Sequence, residues 1–177
     1  MNDSMKSELA TLIASNYDNV EAAFSIIHNL EAIKEKLLLK LKYELQIIAD
    51  DLKMKLSFEI DFINEQYNGA YFFRENWKLG SIAFGFQSYS NILLYEILVE
   101  NPEIFPPLLH EELVKIKPND TKTSEWWPIF RAFESPYNNW DNSKEVWTSV
   151  ADGSMAELFK NKLIEMLNLL DRNNIEL

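Results

Sequence analysis

The longest regular pattern in the chain is an apolar stripe that begins about twenty residues from Met1. From Val20 to Leu52 apolar residues recur at steps of three and four, with no glycine or proline between them. They are Val20, Phe24, Ile27, Leu30, Ile33, Leu37, Leu41, Leu45, Ile48 and Leu52. This spacing predicts one long amphipathic helix, or two nearly collinear ones, with a capping box at Asp18 and Glu21 as its start. A shorter helix is expected before it, over Asp3–Ala14.

The predicted helix is long for its domain. At about 1.5 Å per residue it would extend for roughly 50 Å, more than a small sheet needs to be covered. Two interpretations follow, one in which the stripe wraps across the chain's own sheet and one in which part of it meets another chain. In the second interpretation Val20, Phe24 and Ile27 are the first candidates for the interface.

After Asp51 the period changes from helical to two. Met54, Leu56, Phe58 and Ile60 alternate with polar residues, which predicts a half-buried strand. Asn68-Gly69 predicts a turn, residues 70–73 a second strand, and residues 82–86 a third. The run ILLYEILV at residues 92–99 is typical of a buried central strand, with a helix as the alternative.

All six prolines lie between Asn101 and Trp140, so this segment is expected to be irregular with short helices, one over residues 108–115. Asn142 or Ser143 is expected to start another short helix toward Val150. Ser154 and Glu157 predict a capping box for a final helix to about Asp171. The expected fold class is α+β, a three- to four-stranded, mainly antiparallel sheet with a long N-terminal helix and C-terminal helices. It forms a single domain over residues 1–177, divided into a helical arm (1–53), a sheet (54–100) and a Pro-rich segment with closing helices (101–177).

Composition narrows the classes of partner. The chain has 28 acidic and 17 basic residues, a net charge of -11, and no cysteine. Direct nucleic-acid binding is disfavoured because each phosphate contact needs a cation. Lys34, Lys36, Lys40 and Lys42 form the densest basic cluster, and the acidic residues among them indicate a solvated helix face.

No thiolate metal site can form, because the chain has no cysteine, and no membrane span is expected. The first twenty residues lack the features of a signal peptide, so the expected location is cytoplasmic.

The sequence offers no pattern typical of a catalytic or cofactor site. His28 and His110 lie in different predicted helices, and both are interpreted as surface or boundary residues. The acidic pairs Asp50-Asp51 and Glu111-Glu112 are helix neighbours whose side chains point about 100° apart, so they cannot share one proton or metal. With four glycines no phosphate-binding loop is expected. We therefore predict no catalytic, cofactor-binding or metal-binding residues.

Aromatic residues in the Pro-rich segment are the other interface candidates. Trp126 and Trp127, with Phe130 and Phe133, have helical spacing and predict either a core cluster or a binding patch. Tyr137 and Trp140 lie in a run, YNNW, that favours a structural corner. Aromatic side chains exposed on an acidic protein would be anchors for a protein interface.

Four segments carry a resemblance to a known family. In chain order they are NVEAAFSIIHNLEAIKEKLLLKLKYEL, ENWKLGSIAFGFQ, WWPIFRAFESPYNNWDN and VADGSMAELFKNKLIEMLNLLD. Together they resemble the C-terminal, non-catalytic region of bacterial proteins in the PD-(D/E)XK nuclease superfamily. The resemblance covers most of the chain, and its most specific pieces are Trp77 before the strand around Phe84 and the SPYNNW run followed by Asp152-Gly153 and Met155.

The block of carboxylates and lysine with which those nucleases hold a divalent metal and activate water is missing from this chain. Glu75 and Lys78 have E-x-x-K spacing, which would place them on opposite faces of a strand, and Asp51-Leu52-Lys53 ends a predicted helix. The resemblance therefore implies a non-enzymatic, protein-binding role, as an accessory chain beside a nuclease or as an inhibitor of one in bacterial or phage nucleic-acid defence. The alternatives are a degenerate metal-dependent nuclease that uses Asp61 and Glu75, and an acidic mimic of nucleic acid. Either self-association or the docking of a partner is also expected through the long helix.

Overall fold

A computed structural model describes residues 3–59, 68–87, 92–140 and 143–177. The chain divides into two compact units, residues 1–39 and residues 40–177, each described by itself here. The sequence predicted one domain with a helical arm to residue 53, whereas the second compact unit already begins at Lys40, within the third helix.

The first unit consists of helices. α1 spans Asp3–Ala14, α2 spans Tyr17–His28, and α3, over Leu30–Asp51, begins in this unit. α1 and α2 pack together across Ser15-Asn16, the interruption that the sequence predicted. The capping prediction at Asp18 was wrong, because Asn16 Oδ1 accepts the backbone N–H of Asn19 at 2.8 Å and starts α2 two residues earlier.

The predicted long helix is two helices separated by a single residue. Asn29 lies between α2 and α3 with φ -102° and ψ 10°. The helical hydrogen-bond pattern continues across it, since Asn29 N–H donates to Ser25 O and Ile33 N–H donates to Asn29 O. The Asn29 side chain also donates to Ser25 O, at 2.8 Å, so the amide competes locally with a regular helix.

The second unit is built on one antiparallel sheet in which strand order follows chain order. Its strands are β1 (Lys55–Glu59), β2 (Asn68–Phe73), β3 (Gly80–Gln87), β4 (Ile92–Val99) and β5 (Ile129–Ala132). Its helices are the second part of α3, α4 (Pro107–Ile116), α5 (Lys144–Asp152) and α6 (Ser154–Arg172). In the described residues the fold is thus α+β with six helices and five strands, which confirms the predicted class but not the predicted count of three to four strands.

The inner face of the sheet is the face that contacts α6, and it forms the centre of the core. Because side chains alternate along a strand, the register places Phe72, Phe84 and Tyr95 on the same face. Phe159 of α6 stacks on Phe84 with ring centroids 4.3 Å apart, and Trp140 meets Phe86 edge-on at 5.2 Å. The predicted apolar stripe of the last helix is therefore its packing surface against the sheet.

Three local predictions were wrong. Asn68-Gly69 was expected to form a turn, but both residues belong to β2, where Gly69 pairs with Glu59. The Pro-rich segment was expected to be irregular with short helices, yet residues 129–132 extend the sheet along β4, where Ile129 pairs with Ile97 and Ala132 with Leu94. The predicted capping box of the last helix is also absent, since Ser154 Oγ bonds Asp152 Oδ1 at 2.6 Å and Gly153, with φ +88°, takes the N-cap position.

Candidate functional site

The N-terminal helices present an apolar face that their own unit does not bury. α2 contains no buried residue, and between Met5 and Leu37 every residue is exposed or half-buried. Phe24 is 59% exposed and Ile27 is 65% exposed, while Val20 is half-buried. We define the N-terminal face as the exposed large apolar residues of this stretch, namely Met5, Leu9, Leu12, Tyr17, Phe24, Ile26, Ile27, Leu30 and Ile33.

Burial begins where α3 enters the second unit. Leu41 and Leu45 are fully buried, and Ile48 and Ala49 are buried beside them. The apolar stripe that the sequence shows as continuous thus has two environments, with core along residues 41–49 and exposed side chains before it. The C-terminal half of the stripe therefore covers the chain's own core, and the N-terminal half remains exposed or half-buried.

Charge is unevenly distributed along the same helical run. Residues 17–31 carry Asp18, Glu21 and Glu31 with no lysine or arginine, whereas residues 34–42 carry the four lysines of the predicted cluster and one acid, Glu35. Lys34 Nζ lies 3.3 Å from Glu31 Oε1, and Lys40 donates to Glu44 and, at 3.1 Å, to the carbonyl oxygen of Val150. Lys36 and Lys42 are exposed, as the predicted solvated face requires.

A second surface surrounds Trp126 in the other unit. The Trp126 carbonyl oxygen accepts a hydrogen bond from the Val99 N–H at 2.9 Å, at the end of β4, while its indole is 50% exposed. Two adjoining clefts, of about 460 and 480 Å³, open beside it and share Pro102, Glu103 and Glu125. We call this region the Trp126 surface; its lining residues are Glu100, Asn101, Pro102, Glu103, Phe105, Pro107, His110, Glu111, Glu125 and Trp126.

The remaining aromatic candidates are structural. Trp127 is half-buried and meets Phe130 edge-on at 5.8 Å, at the start of a strand and not on the predicted helical face. Tyr137 is half-buried in the turn after the cis Ser135-Pro136 bond. Trp140 is only 2% exposed and belongs to the core, so its indole has no surface to offer a partner.

Among the described residues, the two histidines and Glu75 do not converge. His28 is exposed on α2, and His110 Nε2 donates to Ser124 O at 3.1 Å as part of a loop anchor. Glu75 lies in the connection after β2, exposed and paired with Lys55 at 3.1 Å, so the strand geometry assumed for it was wrong. Asp61 lies outside the described residues. Within them no group of three or more acidic or histidine side chains is arranged to hold a metal ion.

One ionisable group that sequence reasoning missed is Glu96. It lies on the outer face of the sheet, the face opposite α6, where it pairs with Ala83 and Phe130 in the middle of β4. Only 5% of Glu96 is exposed, its Oε2 has no hydrogen-bond partner among the described residues, and burial raises the pKa of its carboxyl to about 8. The signal was available in the sequence, because Glu96 is the single charged residue within the apolar run ILLYEILV.

Comparison with known proteins identifies no relative of this chain. No protein-family model, curated protein or solved structure matches it. Among the described residues, no helix has the combination of length and apolarity needed to cross a membrane.

Proposed function

We propose that this chain is a non-enzymatic protein-binding module that binds through the N-terminal face. The observation that carries the proposal is the run of exposed apolar side chains on helices with no buried residue from Met5 to Leu37. Exposed apolar surface costs on the order of 25 cal/mol for each Å² left in water, and large exposed apolar patches mark interaction sites. Two twelve-residue helices are also marginal without packing partners, so binding would stabilise them.

The occupant that the charge pattern favours is a second copy of the chain. If two copies of the α2–α3 run pair antiparallel about a point near Asn29, Asp18 and Glu21 of each copy lie beside the lysine cluster of the other. Phe24 and Ile27 then lie near the two-fold axis, where the same patch faces itself. A parallel arrangement would instead bring acids beside acids and lysines beside lysines.

The wider role comes from the resemblance to the C-terminal region of PD-(D/E)XK nuclease superfamily proteins. We propose that the module acts beside a nuclease in bacterial or phage nucleic-acid defence, as an accessory chain or as an inhibitor. Within this proposal the chain supplies binding surface and no reacting groups.

Exposed Trp126 and the acidic residues around it also favour a second candidate function. In it the chain presents an acidic surface that occupies the cationic site of a defence enzyme.

Light scattering across a protein concentration series tests the N-terminal face. The wild-type mass is expected to rise from the monomer value of 20.8 kDa toward twice that value. A variant with Phe24→Glu and Ile27→Glu should stay at the monomer mass, because the charges would be buried in the interface. Leu108→Glu is the matched control, since Leu108 is 74% exposed on α4 and should leave the association unchanged.

Two results would contradict this assignment. A wild-type mass of 20.8 kDa at every concentration would remove the second copy as occupant. Equal weakening by Leu108→Glu and by the double variant would show that the association is non-specific.

A further inference from the structure

Hydrogen bonds fix the backbone of the loop that carries the Trp126 side chain. Val99 N–H donates to Trp126 O at 2.9 Å, and Ser124 N–H donates to Trp127 O at 2.8 Å. The carbonyl oxygen of Ser124 accepts from His110 Nε2, which ties this loop to α4, and Trp127 N–H donates to Ser124 Oγ at 3.1 Å. The loop is therefore fixed on both sides while the Trp126 indole remains half exposed.

The charged side chains that line the clefts beside the Trp126 indole are all acidic. Glu100, Glu103, Glu111 and Glu125 line the two clefts, and neither cleft is lined by a lysine or arginine. Lys115 Nζ lies 3.9 Å from Glu111 Oε2 and offsets that carboxylate alone. In the described residues Glu100, Glu103 and Glu125 form no ion pair, and all three are exposed. Three carboxylates thus face solvent beside an aromatic face without a cation.

We infer that the Trp126 surface binds an extended, arginine- or lysine-bearing segment of a partner protein. A cation over the face of an indole is attracted by the ring quadrupole, and tryptophan is the best of the aromatic side chains for this contact. Arginine adds planar donors that match carboxylates in pairs. Phosphate backbones are excluded as occupants because the lining carboxylates would repel them. The inference is independent of the N-terminal face and defines a second binding surface.

Fluorescence anisotropy with a labelled peptide, Arg-Gly-Arg-Gly-Arg-Gly, tests the inference on the full chain. Trp126→Ala should weaken binding about threefold through loss of the cation–π contact. The Glu103→Gln and Glu125→Gln double variant should weaken it roughly fivefold and reduce its salt dependence. Phe24→Glu with Ile27→Glu should bind the peptide as the wild type does, so failure here and failure of the N-terminal face are distinguishable.

Matched controls separate a local site from the attraction of any basic peptide to an acidic protein. Tyr43→Ala removes an aromatic side chain that is 69% exposed on α3, outside both clefts. Asp50→Asn with Glu165→Gln removes the same two charges as the double variant at exposed positions away from the clefts. Both controls should bind the peptide within about twofold of the wild type.

The inference is overturned if the control pair weakens binding as much as Glu103→Gln with Glu125→Gln. That result would assign the affinity to the net charge of -11 alone. It is equally overturned if Trp126→Ala has no effect, or if the wild type binds the arginine peptide no better than a peptide with glutamate in place of arginine.

Discussion

Glu96 is an ionisable residue at a position where the fold disfavours the charged form of its side chain. A carboxyl on the outer face of a central strand, 5% exposed and with an unpartnered Oε2, is held in its neutral form by desolvation. Gly85 lies on the neighbouring strand, and a Cβ there would come within 3.3 Å of Glu96 Oε1, so the side chain fills the space that the glycine leaves. The folded protein therefore loses stability as the Glu96 carboxyl ionises.

The sign of the resulting pH dependence follows from the raised pKa. The unfolded chain releases the Glu96 proton near pH 4.5, whereas the folded chain keeps it until about pH 8. Between these values the folded state binds more protons, so the free energy of unfolding falls as pH rises, by roughly 1 kcal/mol per pH unit from this group. Glu96→Gln should remove that slope and be more stable than the wild type near pH 8.

Urea unfolding of both proteins from about pH 5 to about pH 8 measures this difference. Glu165→Gln is the control, because Glu165 is exposed and its loss should leave the wild-type slope in place. Parallel stability curves for the wild type and Glu96→Gln would show that the Glu96 carboxyl is solvated in the folded protein.

The sequence predicted best those elements in which the spacing of apolar residues agrees with their burial in the fold. β4, α5 and α6 lie close to their predicted positions because in each of them an apolar stripe or run is buried. β5 was missed because four residues after a proline, IFRA, carry too short a pattern, and its strand state depends on pairing with β4. Exposure of Trp126 and burial of Trp140 were equally unpredictable, because both depend on tertiary contacts that no local pattern encodes.

The N-terminal helices should be the least protected elements of the isolated chain. Twelve-residue helices such as α1 and α2, none of whose described side chains is buried, open at little cost, whereas β3 and β4 lie in the core. In dilute solution, hydrogen exchange should show amides of residues 5–33 protected at least about a hundredfold less than those of β3 and β4. At concentrations where the chain associates, protection of the same residues should rise.

Mass spectrometry of peptides after exchange at two protein concentrations is the measurement. Leu41 and Leu45, in the buried part of α3, supply an internal reference whose protection should not depend on concentration. High protection of residues 5–33 in the dilute sample would contradict the view that these residues bury no side chain in the isolated chain.

At the scale of the molecule, the chain combines one folded unit around a sheet with a helical segment whose apolar residues remain exposed. The sequence predicted the α+β class, and of its interface candidates Phe24, Ile27 and Trp126 are exposed, whereas Val20, Trp127, Tyr137 and Trp140 are half-buried or buried. It did not predict where the stripe passes from core to surface, since the spacing is the same on both sides of Lys40. The protein-binding role is our interpretation of that exposed part.

All five tryptophans lie in residues 77–147, so their fluorescence reports on the second unit alone. Urea unfolding followed by this fluorescence, in dilute protein, is therefore the most direct test of whether the N-terminal face is surface or core. We predict the same midpoint for the wild type and for Phe24→Glu with Ile27→Glu, while Leu45→Ala lowers the unfolding free energy by about 2–5 kcal/mol. A double variant destabilised as strongly as Leu45→Ala would show that the face is core and contradict the proposed function.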